Sequence, residues 1–237
     1  MNIDGHIAVI TGASSGLGAA LAKALIDKGA IVYGLARNEE KLLDIKNKLR
    51  ENFIPVVIDI TKQQDIATWV SNTFSNSHTP GILINNAGAG YFTKIDELPL
   101  ERWHEMINTN LNGIFYITAK IVPLMKANQN ASHIINIGSI LGKTTRADGA
   151  GYSATKYGMQ GFSEALFKEL RSYKIKVTCV NPGSIDTDFF KESGIQPHRN
   201  MLQVKDIADL IIHLIETPDN FLVDEITMRS LIPNSPV

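Results

Sequence analysis

Short, unbroken apolar runs alternate with segments of helical periodicity along the whole chain, and this alternation limits the fold more than any other feature. The first run, Ile7 to Ile10, reads as a strand buried on both faces. Leu17, Leu21 and Leu25 then recur at helical spacing, and Gly29 stops that helix. Ala30 to Ala36 is a second strand. Asn38 reads as the N-cap of the next helix, with Glu39 and Glu40 at its positive end, and this helix runs to about Arg50. The pattern predicts further strands at Ile54–Ile58, Gly81–Asn85, His133–Gly138, Ile175–Asn181 and Phe221–Thr227. Helices are predicted at Gln63–Phe74, Glu101–Asn128, Tyr152–Ser172 and Lys205–Ile215. Seven strands alternating with six helices predict an α/β fold, a doubly wound parallel seven-stranded sheet with helices on both faces.

The chain has 237 residues with no linker, charge block, low-complexity tract or internal repeat, so a single domain over residues 1–237 is expected. A unit of that size buries roughly 70% of its unfolded surface or more. A formal net charge of −1, with 20% charged and 44% hydrophobic residues, excludes a disordered tail and gives no basic excess for nucleic acid. The single cysteine, Cys179, precludes an internal disulfide. The six histidines are scattered with no pair at i, i+4, so no metal site is expected. Met1 to Gly5 carry no basic region, so no signal peptide is expected, and no apolar run approaches the ~20 residues that span a bilayer. A cytoplasmic protein without membrane contact is the resulting expectation.

In such a sheet, ligands sit beyond the carboxyl ends of the strands, so the residues to read are those that follow each strand. After the first strand comes Thr11-Gly12-Ala13-Ser14-Ser15-Gly16-Leu17-Gly18. Three glycines between a strand and a helix permit a tight backbone path and the close approach of a diphosphate. The helix N-terminus offers that diphosphate free N–H groups. After the second strand stands Arg37, with no carboxylate at position 36. A guanidinium there suits a ribose 2′-phosphate, through a charge-assisted bond worth roughly 1.5–3 kcal/mol. Asp59 follows the third strand, and Asn85-Asn86-Ala87-Gly88 the fourth. Asn85 is expected to serve the loop backbone.

Tyr152 and Lys156 form a YxxxK pair, one turn apart on a helix, so phenol and ammonium share a face. Ser139 ends the fifth strand. Reducing a carbonyl requires a hydride, a proton for the developing alkoxide and a donor to steady that oxygen. A free phenol, with pKa near 10, is a poor base at neutral pH. A neighbouring Lys156 ammonium is expected to lower it by one to two units, since such a pair is worth about 4 kcal/mol at 4 Å. Ser139 would hydrogen-bond the reacting oxygen.

Together these motifs resemble the short-chain dehydrogenase/reductase family over nearly the whole chain, in its NADP-preferring branch. The match comprises TGxxxGxG from Thr11, Asn86-Ala87-Gly88, Asn110, Ser139, Tyr152, Lys156, and Pro182-Gly183 with Thr187. The resemblance implies a Rossmann-like fold, an NADP(H) cofactor and the catalytic set Asn110, Ser139, Tyr152 and Lys156. It implies cofactor contacts at Gly12, Ser14, Ser15, Gly16, Leu17, Gly18, Arg37, Asp59, Ile60, Asn86, Ala87, Gly88, Tyr152, Lys156, Pro182, Gly183, Ile185 and Thr187. In that family Asp59 would accept from the adenine amine, and Lys156 would bind the nicotinamide ribose. Asn110 would hold a water linking Lys156 to solvent, and Thr187 would bond the carboxamide. The chain departs from the family at Leu222 to Arg229, where a glycine-rich strand is usual.

The substrate loop, about 188–204, is short, which favours a small carbonyl compound or hydroxy acid. A 3-oxoacyl group on an acyl-carrier protein is the alternative substrate, and an idle NADP(H)-binding redox sensor the alternative class. Phe189 and Phe190 suggest an apolar wall, and Lys191, His198, Arg199 or Arg146 could meet an acid. Surplus apolar residues on the two long helices (Ile114, Ile117, Ile121, Phe162, Leu166 and Phe167) suggest a homodimer or homotetramer.

Overall fold

The computed structural model describes residues 1–128, 130–189, 193 and 199–232. Its seven strands are β1 (Ile7–Thr11), β2 (Ile31–Ala36), β3 (Phe53–Val57), β4 (Pro80–Asn85), β5 (Ser132–Ile137), β6 (Ile175–Pro182) and β7 (Glu225–Met228). They form one sheet in the order β3-β2-β1-β4-β5-β6-β7, and every neighbouring pair is parallel. The α-helices are α1 (Gly16–Asp27), α2 (Glu39–Leu49), α3 (Gln63–Thr73), α4 (Leu100–Ile107), α5 (Ile114–Ala127), α6 (Ala150–Leu170) and α7 (Val204–Glu216).

The unbroken apolar runs have a direct structural cause. Ala8 and Ile10 of β1 point into one core, and Ile7 and Val9 into the other. The first core receives Leu17, Leu21 and Leu25 of α1, Leu42 of α2 and Ile207 and Ile211 of α7. The second receives Ile66 of α3, Ile117 and Ile121 of α5 and Leu166 and Leu170 of α6. Asn38 caps α2 as expected, its side chain accepting from Lys41 N–H. Gly34 is required in β2, because a Cβ there would lie 2.3 Å from the Phe53 ring.

Two elements differ from the sequence pattern. The helix expected over Glu101–Asn128 is interrupted by a π-helical turn, Asn108–Gly113, between α4 and α5. The wider turn brings Asn110, fully buried, onto the loop that follows β4. The last strand covers only Glu225–Met228; the expected first residues, 221–224, lie outside it. That approach is held by single bonds, from Thr178 Oγ1 to the Val223 carbonyl and from Cys179 N–H to the Asp224 carbonyl.

The chain passes from β1 to β2 on one side and β4 joins β1 on the other, so the strand order reverses beside β1. The crevice at this switch point lies beyond the carboxyl ends of β1 and β4, where the glycine loop and Asn86–Gly88 meet.

Candidate active site

The glycine loop closes on the turn after β4. Gly12 and Gly16 have φ of +68° and +52°, a backbone region that favours glycine. A Cβ on Gly18 would lie 2.2 Å from the Gly12 carbonyl oxygen and 2.7 Å from Asn86 Nδ2. Asn86 donates through Nδ2 to the carbonyls of Thr11 and Gly12, at 3.0 and 3.2 Å. Thr11 Oγ1 accepts the N–H groups of Asn86 and Ala87, both at 3.0 Å. Ser15 sits at the extended N-cap of α1 and makes no side-chain cap bond, and the first turn carries no acid. The open N-terminal turn and the side-chain-free cradle fit a dinucleotide diphosphate. Ser14 lines this loop, and Leu17 anchors it from the core.

Arg37 is exposed at the end of β2 and shares an open recess of about 540 Å³ with Asp59. Asp59 Oδ1 accepts the N–H and hydroxyl of Thr61, at 2.9 and 2.8 Å, which orients the carboxylate. Ile60 is buried against Gly113 of the π turn. Asn85 does not serve the loop backbone as expected: its amide donates to two side chains, Thr118 Oγ1 and Asn136 Oδ1, and so ties β4 to α5 and β5. Pro182 ends β6, and Gly183 N–H bonds the Met228 carbonyl. Ile185 bridges to Leu202, and Thr187 Cγ2 lies 3.3 Å from a Cβ built on Gly16, so the segment after β6 folds over the glycine loop.

Ser139, Tyr152 and Lys156 come together at the end of β5 and the start of α6, all nearly buried. Ser139 Oγ accepts the Leu141 N–H at 3.1 Å. Lys156 Nζ donates to the Ile137 carbonyl at 2.8 Å and sits 5.6 Å from the centre of the Tyr152 ring. A Cβ on Gly88 would be 3.9 Å from Lys156 Nζ, so the lysine reaches the loop after β4. Asn110 Nδ2 bonds the Ala89 carbonyl and Thr155 Oγ1, so both its hydrogens are engaged. Any water held by this side chain must therefore donate to Oδ1.

The electrostatics depart from expectation at the tyrosine. Burial pushes the Tyr152 phenol up from 10 to about 12, with the Ser139 hydroxyl pulling the other way. The expected lowering by Lys156 is absent. Burial pushes the Lys156 ammonium down from 10.5 to about 8, and its nitrogen faces the Ile137 carbonyl. Desolvation thus dominates both groups, opposed at the phenol by the Ser139 hydroxyl and at the ammonium by Cys179.

The rim is aromatic. The Tyr152 ring lies 5.1 Å from Phe92 and 6.0 Å from Phe189. Gly90 permits this, since a Cβ there would lie 2.4 Å from Phe189 Cζ. The Arg146 guanidinium sits 5.3 Å above Phe92, whereas Arg102 pairs with Glu105. Arg199 is exposed; Phe190, Lys191 and His198 lie outside the described residues. Phe92 and Thr155 were not singled out from the sequence. Thr155 lies inside the YxxxK turn, just before Lys156, and that adjacency is its signal; Phe92, four residues beyond Gly88, carries none. Among the described residues no group of His, Cys, Asp and Glu could hold a metal ion, and no helix is long and apolar enough to cross a membrane.

Known proteins resemble this chain in sequence and fold. The sequence model of the family described as short chain dehydrogenase matches residues 6–197. An uncharacterized oxidoreductase of Staphylococcus saprophyticus is 33% identical over 233 residues, 97% of this chain and 99% of that one. The closed form of serine dehydrogenase complexed with NADP+ superposes with a TM-score of 0.90, at 26% identity over 98% of each chain. A 3-ketoacyl-(acyl-carrier-protein) reductase from Brucella melitensis complexed with NADH gives 0.88, at 26% identity over 95% of this chain and 97% of that one. The glycine cradle, the parallel sheet and these matches agree on an NAD(P)(H)-dependent oxidoreductase, and the chain belongs to the short-chain dehydrogenase/reductase family.

Proposed function

We propose that the chain is an NADP(H)-dependent oxidoreductase that interconverts a small carbonyl compound and its alcohol, of the ketone, aldehyde or 3-hydroxy acid type. The observation that carries this reading is the convergence of Ser139, Tyr152 and Lys156 beside the loop after β4. The bound nicotinamide supplies or accepts the hydride. In reduction the Tyr152 phenol, protonated at neutral pH, gives its proton to the developing alkoxide. Ser139 donates to the same oxygen while Leu141 N–H fixes its lone pair. The Lys156 ammonium stabilises the phenolate left behind, and in oxidation the roles reverse.

Arg37 favours NADP over NAD, because its exposed guanidinium can form a forked bond with a 2′-phosphate. The small hydroxy-acid reading is supported by serine dehydrogenase among the similar structures and by Arg146 above Phe92 at the rim. The Brucella reductase supports the 3-oxoacyl-carrier-protein alternative.

The whole chain would work as one catalytic unit, as a homodimer or homotetramer. Ile114, Ile117, Ile121 and Leu166 are buried in the core, and Phe162 and Phe167 pack against it, so they are not the surplus read from the sequence. On α5 and α6 the large apolar side chains left exposed for a partner subunit are Phe115 and Tyr157. A reducing, cytoplasmic setting suits the buried thiol of Cys179.

The test is NADPH oxidation against 3-oxo esters, 3-oxoacyl thioesters, 2-oxo aldehydes, aromatic aldehydes and diketones, and NADP+ reduction with 3-hydroxy acids. Tyr152→Phe is the blank. Turnover above the blank supports the reading and ranks the substrates. NADPH binding with silence across the panel overturns it in favour of a redox sensor.

A further inference from the structure

A directed chain of hydrogen bonds ties the main chain of Ser139 to the far edge of the sheet. Ser139 N–H donates to Asn181 Oδ1 at 3.2 Å. Asn181 Nδ2 donates to Gln160 Oε1 at 3.0 Å. Gln160 Nε2 donates to Glu225 Oε2 at 2.6 Å, and Lys143 Nζ meets that same oxygen at 2.5 Å. The chain runs from the end of β5 through β6 and α6 to β7.

Its direction is set at both ends. A main-chain N–H can only donate, and an ionised carboxylate can only accept. Neither intervening amide can turn over without opposing two acceptors or two donors. Asn181 is fully buried, where an unpaired amide is costly. The backbone makes room for it, since a Cβ on Gly138 would lie 2.1 Å from Asn181 Oδ1. Gln160 follows Tyr152 and Lys156 at spacings of four, on the same face of α6. Ser139 is thus gripped twice, through its amide by Asn181 and through its hydroxyl oxygen by Leu141 N–H. Glu225 belongs to the stretch that departs from the family pattern.

We infer that Asn181, Gln160 and Glu225 are positioning residues, and that the polarity imposed by Glu225 holds Ser139 in place against Tyr152. The inference rests on the reading of Ser139 as the hydroxyl that binds the reacting oxygen.

The test is a swap of polarity. Asn181→Asp puts an acceptor against Gln160 Oε1, and turning Gln160 over only moves the conflict to Glu225. Adding Glu225→Gln lets the turned Gln160 accept from the new amide, which completes the chain in the opposite sense at unchanged net charge. Asn181→Asp alone is expected to lower kcat for carbonyl reduction about tenfold with the NADPH Kd unchanged. The double variant is expected to recover most of that loss. While protonated, the new carboxyl mimics the amide, so the loss should deepen as pH rises. A general structural defect gives no such dependence. An unchanged kcat in the single variant, or a folded double variant no better than the single, overturns the inference.

If Asn181→Asp does not fold, Glu225→Ala removes only the anchor. It should lower kcat about threefold and speed hydrogen exchange at the Ser139 amide. Unchanged kcat and exchange overturn the inference. If the wild-type chain reduces no carbonyl while exchange responds as expected, the catalytic reading has failed and the positioning role falls with it, whereas the bond chain itself stands.

Discussion

Asn110 clasps Ala89 from both sides: its Oδ1 accepts the Ala89 N–H and its Nδ2 donates to the Ala89 carbonyl, each at 2.8 Å. The second amide hydrogen goes to Thr155 Oγ1, whose hydroxyl in turn donates to the Tyr152 carbonyl. One buried carboxamide thus joins the π turn, the loop after β4 and the helical turn that carries the tyrosine.

Asn110→Asp tests this clasp. A carboxylate would face the Ala89 carbonyl and a threonine oxygen whose hydrogen is already engaged. The expected loss is about 2–3 kcal/mol of stability, with weaker NADPH binding as the loop loosens. Denaturant unfolding and fluorescence titration with NADPH read the two effects. Unchanged stability would mean that the clasp contributes nothing to the fold.

Tyr152 and Lys156 should titrate as a pair. Burial holds the phenol near 12 and the ammonium near 8, so the first proton lost belongs to the pair and leaves near pH 8. Reduction needs both groups protonated. Its kcat/KM should be flat below about 8 and fall above it. Oxidation needs the pair one proton short, so its kcat/KM should rise to about pH 8 and then level. Mirror-image profiles with one shared midpoint are the expected result. Two unrelated midpoints would break the pairing.

Much of this site was legible because its signals are local. The glycines after β1 and the YxxxK turn of α6 are fixed by neighbours a few residues away. The strands β1, β4, β5 and β6 announced themselves because both faces are buried. The π turn was not legible, because one extra residue per turn leaves the apolar pattern of the flanking helices intact. The raised phenol pKa was also hidden. It comes from burial of Tyr152, with Phe92 and Phe189 packed on its ring, and those residues are distant in sequence. The link from Asn181 to Glu225 joins residues 21 and 65 positions apart in its two steps, and no periodicity encodes it.

Arg37→Ala should weaken NADPH binding by about 10- to 100-fold and leave NADH binding nearly unchanged. The guanidinium stands at the end of β2 beside the recess it shares with Asp59. Paired titrations with the two cofactors decide the matter. An equal loss for both would show that Arg37 serves the fold rather than a phosphate.

Arg146→Ala should raise KM for carboxylate-bearing substrates about tenfold and leave KM for neutral carbonyls unchanged. The reason is distance. The guanidinium lies 5.3 Å above Phe92, whose ring is 5.1 Å from that of Tyr152, so one aromatic ring separates the charge from the reacting phenol. Equal changes for acids and neutral ketones would remove Arg146 from substrate recognition.

His133 should make the fold acid-sensitive. Its Nε2 lies 2.8 Å from Thr178 Oγ1, whose hydrogen goes to the Val223 carbonyl, so Nε2 carries the imidazole proton. Nδ1 is buried with no partner. Burial, with the Lys176 and N-terminal ammonium groups adding to it, pushes the imidazole from 6.5 down to about 3. Between those values the unfolded chain binds a proton that the folded chain refuses, so stability falls as pH drops from 6.5 towards 3. The full contribution is about 5 kcal/mol. His133→Gln keeps a donor for Thr178 and cannot titrate. Urea unfolding of both proteins at pH 7.5 and 4.5 should show the wild type losing more stability than the variant, by about 2–3 kcal/mol. Equal losses would mean that the imidazole accepts its proton without opening the core.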